Sequence, residues 1–295
     1  MKNSEYIMYA KEKPIYKTAL FWILIAALVV LVVVFVSIVR LSDGLFAPVD
    51  TPPETTEFTL PTLPPPEENP YNAMDFGLDE KGYLTCLTGE SRLGIDVSVY
   101  QKSIDWQQVK DAGVEFVIIK VGGRGYGEAG RLYEDDTWRA KYEGAKAAGL
   151  DVGVYFFSQA IDEAEAIEEA EYVLSLIEDK EIDLPIVYDW EYIDPITADG
   201  IPRTVAMSKR MLTECTKAFC NRIEQDGYQS MIYFNADQSH KKMYLEELTD
   251  YPFWLANYTT ELNYPYKVDM WQYTQHGTVP GIEGDVDLNL QLYYK

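Results

Sequence analysis

Histidine is almost missing from this chain of 295 residues, which has two, and cysteine is little commoner, with three. His240 and His276 stand far apart near polar turns, so a His-based metal site and a Ser-His triad have almost nothing to build on. The cysteines, Cys86, Cys215 and Cys220, are odd in number and form no Cys-x-x-Cys pair. Neither a disulfide framework nor a zinc site is expected from them. Cys215 and Cys220 read as small core residues on different faces of one helix. Basic residues are scarce too: 25 Lys and Arg face 48 Asp and Glu, a formal net charge of -23. With no basic face to offset phosphates, nucleic acid is excluded as a partner. No metal or cofactor is expected.

What is present includes a hydrophobic content of 47%, enough for a sizeable core. Ala19 to Val36 are 18 consecutive apolar residues, and the run reaches Val39 with only Ser37 interrupting. Such a helix is long enough to cross a hydrocarbon core about 30 Å thick. A cleaved signal peptide would have a shorter apolar region and a small-residue cleavage site. An uncleaved transmembrane anchor over 19–39 is therefore expected. Lys2, Lys11, Lys13 and Lys17 precede it and only Arg40 closely follows. The positive-inside rule then makes 1–18 a cytoplasmic tail and puts the rest outside the cell membrane, a single-pass topology.

From Ala47 to Pro70 the chain is rich in Pro, Thr and Glu and has no Lys or Arg. That composition favours extended, self-repelling chain, so 40–90 is expected to be an extracellular linker whose last twenty residues have no assigned structure. Beyond it, strand-like runs occur at Leu93–Ser98, Phe116–Val121, Val152–Phe157, Leu184–Trp190, Ser230–Phe234, Phe253–Asn257, Met270–Tyr273 and Val286–Leu290. Helical patterns lie at Ile104–Ala112, Asp135–Ala148, Asp162–Ile177 and Pro202–Gln225. In the third, Asp162 and Glu165 suit a capping box, Ile167, Ala170, Leu174 and Ile177 make an apolar stripe, and the acids read as a solvated face. Eight strands alternating with helices over about 200 residues fit an α/β fold, an irregular (β/α) barrel with little helix among its last three strands. Residues 91–295 would form it.

In such a barrel the chemistry lies at the C-terminal strand ends. There the sequence puts Asp96 and Ser98, Tyr155 and Phe157, Asp189 and Glu191, Tyr233 and Asn235, Asn257, Gln272 and Asp287. Asp189 and Glu191 are two apart on one strand, so both point the same way with Cα atoms about 6.6–6.8 Å apart. Carboxylates converging on a buried strand end are costly unless they meet solvent, a partner or a substrate. Asp96 alone could cap a turn and Asp287 alone could be a surface acid. Their common position at strand ends favours a paired-carboxylate site of the kind glycoside hydrolysis uses. Tyr155, Tyr233, Asn257, Trp271 and Gln272 are the candidate substrate-binding residues, and Tyr188 and Trp190 point outward under helices.

These stretches resemble glycoside hydrolase family 25, the lysozymes that act as N-acetylmuramidases. The motifs are Gly94-Ile95-Asp96-Val97-Ser98 with Ile104-Asp105-Trp106, Ala147-Ala148-Gly149-Leu150 into Val152-Gly153-Val154-Tyr155, and Pro185 to Glu191 with its Asp-Trp-Glu. Trp254-Leu255-Ala256-Asn257-Tyr258, Met270-Trp271-Gln272-Tyr273, Val279-Pro280-Gly281-Ile282 and Val286-Asp287-Leu288-Asn289 complete the family order. The resemblance implies a barrel of eight strands and about five helices. It implies cleavage of the β-1,4 bond between N-acetylmuramic acid and N-acetylglucosamine in peptidoglycan glycan strands. It also implies Glu191 as proton donor, Asp189 as its partner, and Asp96 and Asp287 as supporting acids.

Two departures stand out: many relatives have His where this chain has Phe156, and Asn where it has Asp285. The spacing of Asp189 and Glu191 falls between the retaining and inverting ranges, and a substrate-assisted route through the 2-acetamido group is one expectation. A monomer that remodels the cell's own wall is the functional expectation. The alternative is a catalytically inactive, membrane-tethered glycan-binding barrel. A chitinase-like reading fails because the earlier acidic positions of that motif are Leu184 and Val187 here.

Overall fold

The computed structural model describes residues 19–43, 63–193 and 200–294, in two compact units divided after Thr62. In the first unit, Ala19–Asp43 is a 25-residue helix, α1, whose described side chains between Trp22 and Phe35 are exposed. Among the described residues no helix is long and apolar enough to cross a membrane. The expected tail at 1–18 and the Pro-rich stretch to Thr62 lie outside the described residues.

The second unit holds β1 (Phe76–Leu78), β2 (Leu84–Cys86), β3 (Glu90–Val97), β4 (Phe116–Arg124), β5 (Leu132–Glu134) and β6 (Asp151–Ser158). It continues with β7 (Ile186–Trp190), β8 (Ser230–Asn235), β9 (Phe253–Ala256), β10 (Met270–Gly277) and β11 (Val286–Tyr293). Eight of these form the sheet order β3-β11-β10-β9-β8-β7-β6-β4, closed into a barrel by pairing of β3 with β4. Each of the eight contains or overlaps one of the runs read from sequence. β11 runs antiparallel to both neighbours, and the other contacts around the barrel are parallel. β5 folds back antiparallel on the far end of β4.

Outside the barrel lie α2 (Trp106–Asp111), α3 (Trp138–Ala147), α4 (Glu163–Ile177), α5 (Lys209–Gln225) and α6 (Ala236–Lys242). α5 begins seven residues later than its sequence pattern, because the Ser208 hydroxyl accepts the Met211 N–H at 3.1 Å and caps it there. Asp162 caps α4 by accepting from Glu165 N at 2.9 Å. The reciprocal half of the expected box is absent: Glu165 Oε2 takes the Ile161 N–H, and its Oε1 takes Arg203. The buried stripe of α4 is also rotated from expectation. Ile167 is exposed, whereas Glu169 is wholly buried. Arg124 pays for that burial, its Nε donating to Glu169 Oε1 at 2.8 Å.

Two hydrophobic clusters follow from strand alternation. Val117, Ile119 and Val121 face the helices, while Phe116 and Ile118 fill the barrel interior with Val187, Met231 and Met270. Gly94 and Gly153 make room inside: a Cβ at Gly94 would lie 2.2 Å from the Phe116 ring, and one at Gly153 2.7 Å from Ile118.

Residues 63–90, expected as the end of the linker, belong to the compact unit. No helix follows β9 or β10 to cover the outward side of β10, so the β1–β2 hairpin does it. Phe76 packs edge-on against Trp271 at 5.2 Å, and Tyr83 OH donates to Thr278 O at 3.2 Å. Asn69 Nδ2 anchors the approach by donating to Leu262 O and Tyr264 O. Short polar-flanked runs such as Leu84–Cys86 carry too little periodicity to reveal this in advance.

Candidate active site

The inward positions at the open end of the barrel come from every side. Asp287 on β11 lies directly opposite Asp96 on β3, and Lys120 on β4 lies opposite Tyr155 on β6. Asp189 on β7 is flanked by Phe157 and Tyr233, and Tyr233 in turn by Trp254. With Glu191 and Gln272 these residues line one cleft of about 660 Å³. All four predicted acids therefore share a single cavity.

Asp96 is buried and held by two amides. Its Oδ2 accepts from Gln272 Nε2 and from Asn289 Nδ2, each at 2.8 Å. Those amides are aligned in turn: Asn289 Oδ1 accepts from Trp254 Nε1 at 2.8 Å, and Gln272 Oε1 from the hydroxyls of Tyr233 and Tyr258. Burial raises the Asp96 carboxyl to about 6, against the lowering by both amides and with help from the Glu191 charge.

Asp189 is the contrasting case. It is just as buried, yet Oδ1 has no hydrogen-bond partner among the described residues. Burial pushes its carboxyl well above the usual range, and the neighbouring Glu191 charge pushes it further. Glu191 stands one residue past the end of β7 and is exposed at the cleft mouth. Its carboxyl is nevertheless raised by desolvation between the cleft walls, with Lys120 opposing. Asp287, half-buried, is pushed up to about 8, first by burial and then by the facing Asp96. Four acids in one low-dielectric cavity cannot all ionise cheaply, so protons are retained near neutral pH.

Lys120 also lines this cleft, a charged residue that the sequence alone did not single out. Its ammonium lies 4.8 Å from the Phe157 ring centre and 5.9 Å from those of Tyr133 and Tyr155, and it lowers both Asp189 and Glu191. The signal was a lone lysine in the apolar run Phe116–Val121, in phase with inward-facing Phe116 and Ile118. Tyr100, Tyr133 and Tyr258 also line the cleft and expose ring surface at its mouth.

Among the predicted binding residues, Tyr155, Tyr233 and Gln272 line the cavity, whereas Asn257 and Trp271 do not. Trp271 neighbours Gln272 on one strand, so alternation turns it outward, where it is fully buried beneath Phe76. Its Nε1 donates to Asn257 O at 2.7 Å. The Asn257 side chain is spent within its own loop, on Asn263 and Thr259.

Residues 95–282 match the sequence model of glycosyl hydrolases family 25. The chain belongs to this family. It is 29% identical over 201 residues to an autolytic lysozyme of Clostridium acetobutylicum, covering 66% of this chain and 54% of that protein. It is 30% identical over 207 residues to lysozyme M1 of Streptomyces globisporus, covering 66% of each. The solved bacterial lysozyme of Streptomyces coelicolor superposes with a TM-score of 0.51 at 26% identity, covering 68% of this chain and 91% of that one. The chain thus spans about half the length of the first of these relatives. Within family 25, the Phe156 departure is turned away from the cleft: that ring is fully buried outside the barrel, 6.2 Å from Tyr172 of α4. The second departure, Asp285, is exposed, its Oδ2 accepting from His276 Nδ1 at 2.7 Å, while its charge helps raise Asp287.

Proposed function

We propose that this family 25 protein is a muramidase, cleaving the β-1,4 bond between N-acetylmuramic acid and N-acetylglucosamine in peptidoglycan. The observation that carries the reading is the Asp189–Glu191 pair: one carboxyl buried with an unpartnered oxygen, the other at the mouth where a leaving oxygen can reach it. Glu191 donates its proton to the glycosidic oxygen as the bond to the muramic anomeric carbon breaks. In the reactive form the proton retained by the pair sits on Glu191, and Asp189, then ionised, stabilises the positive charge that develops there while the 2-acetamido oxygen closes on the anomeric carbon from the opposite face. Water then opens that ring while Glu191 takes back a proton, giving net retention. Asp96 supplies negative potential beneath the sugar with the protonated Asp287 facing it, and Tyr155, Tyr233 and Gln272 border it. Exposed Tyr100 and Tyr258 offer ring faces to neighbouring sugars.

Mass spectrometry of muropeptides after digestion with the full-length chain tests this. Products ending in reducing muramic acid are expected, with at least a 10³-fold loss of turnover in Glu191→Gln. Reducing glucosamine ends would sink the bond assignment, and net inversion of the anomer by NMR would sink the acetamido route.

The same reading puts the enzyme on the outside of the cell membrane, held by α1. Support comes from the apolar run Ala19–Val36, the exposed apolar side chains of α1, and the excess of lysine before it. Such tethering suits remodelling of the cell's own wall by a monomer. Extraction decides it: the protein stays with membranes after carbonate washing, whereas mature protein in the medium cut after Arg40 contradicts anchoring.

A further inference from the structure

Glu191 lies just beyond the β7 ladder, where a backbone carbonyl has no neighbouring strand to pair with and the chain is free to turn. Here both terminal carbonyls are tied by side-chain amides from the two flanking strand ends. Gln238 Nε2 donates to Trp190 O at 2.9 Å, and Gln159 Nε2 donates to Glu191 O at 3.2 Å. Gln238 belongs to α6, directly after β8, and is itself fixed by exchanging bonds with Asn235. Gln159 directly follows β6 and is fully buried.

An amide can be held in one orientation only if its oxygen and its nitrogen meet different partners. Gln159 meets that condition. Its Oε1 accepts from the Thr204 hydroxyl at 2.7 Å, which leaves the NH₂ group directed at Glu191 O. Its own backbone N–H donates to Glu169 Oε1 at 3.2 Å, the oxygen that also takes Arg124 Nε. Thr204 is buried too, and neither Gln159 nor Thr204 lines the cleft. They are thus out of reach of a sugar in that cleft, and their influence on the reaction runs through Glu191.

We infer that Gln159, oriented by the Thr204 hydroxyl, is a positioning residue that fixes the backbone of Glu191 so that its carboxyl stays beside Asp189 and in line with the scissile oxygen. This rests on the muramidase reading. Misplacing a reacting group by about 1 Å can cost on the order of 10²-fold in rate, with little change in sugar binding.

The test measures steady-state kinetics of the full-length chain on purified peptidoglycan across pH, with thermal melting in parallel. Thr204→Val keeps the shape and removes the donor. It is expected to lower kcat about 10- to 100-fold, to leave KM within twofold, and to move the basic limb of the kcat profile to lower pH. That shift follows because a displaced Glu191 loses the desolvation between the cleft walls that raises its carboxyl. Gln159→Leu should behave the same way, Thr204→Ser should restore both kcat and the pH limb, and melting temperatures should stay close to the parent's. Unaltered kcat and pH limb in Thr204→Val overturn the inference. So does a loss that Thr204→Ser fails to rescue, or one that tracks a collapse in melting temperature. If Gln159→Leu does not fold, the two Thr204 variants decide alone. An inactive parent sinks the muramidase reading and this inference with it, whereas an active parent with unaltered variants sinks only the inference.

Discussion

Asp287 sits directly across the antiparallel β3–β11 ladder from Asp96, so two carboxyls face one another inside the cleft. Directly opposed side chains start from Cβ atoms about 4.5–5.5 Å apart, and like charges there are destabilising. The arrangement persists because burial keeps protons on the cluster: Asp96 is raised to about 6 and Asp287 to about 8.

This gives stability a defined pH dependence. A carboxyl whose folded pKa exceeds its unfolded value binds extra protons in the folded state. Its contribution is complete below the unfolded pKa and is lost as pH rises through the folded one. For Asp96 that window runs from 3.8 to about 6. Asp96→Asn removes the penalty, at most about 3 kcal/mol. The variant is expected to melt a few degrees above the parent at pH 8, with the gap closing toward pH 4, as calorimetry would show. A gap of the same size at both pH values would mean that charge is not its cause.

Lys120 opposes the rise of the Asp189 and Glu191 carboxyls. Its ammonium lowers both Asp189 and Glu191, so Lys120→Met should let both carboxyls rise. The proposed reaction needs Asp189 ionised and Glu191 protonated, so the acidic and basic limbs of the pH–rate profile should both move to higher pH. The expected displacement is about one pH unit or less, read from kcat/KM on peptidoglycan. A shift to lower pH would rule out this role.

The hairpin ahead of the barrel should be indispensable. Phe76 and Leu84 are buried, and burying side chains of this size stabilises by about 1.5–3 kcal/mol each. Removing residues 1–90 exposes Trp271 as well. The truncated chain is expected to be insoluble or to lose most of its cooperative urea transition, whereas one starting at Leu63 should unfold as a single unit. A soluble, cooperative 91–295 fragment would show that β10 needs no cover.

Much of the barrel was legible because strand-forming runs such as Phe116–Val121 and Ile186–Trp190 are short, apolar and bounded by helices with clear periodicity. Asp96, Asp189 and Glu191 were legible because they stand near or just past the C-terminal end of such a run, whereas Asp287 opens its run and reaches the same rim because β11 is antiparallel. Trp271 and Asn257 misled for a related reason. Proximity to a strand end says nothing of side-chain direction until the register is known, and a shift of one residue moves a side chain to the other face. Glu169 misled because its neighbours on α4 are exposed acids, and only Arg124 from a distant strand makes its burial possible.

The residues and their order alone determined an eight-stranded barrel and the convergence of Asp96, Asp189 and Glu191 on one rim, because side-chain alternation and strand-end placement are local properties; Asp287, at the N-terminal end of β11, joins them only because that strand runs antiparallel to both neighbours. Tertiary structure alone decided that Lys120 joins them, that residues 63–90 cover β10, and that Gln159 and Thr204 hold the backbone of Glu191. Each of those depends on which atoms meet across a closed sheet, and contacts between residues tens to hundreds of positions apart leave no periodic trace in the chain.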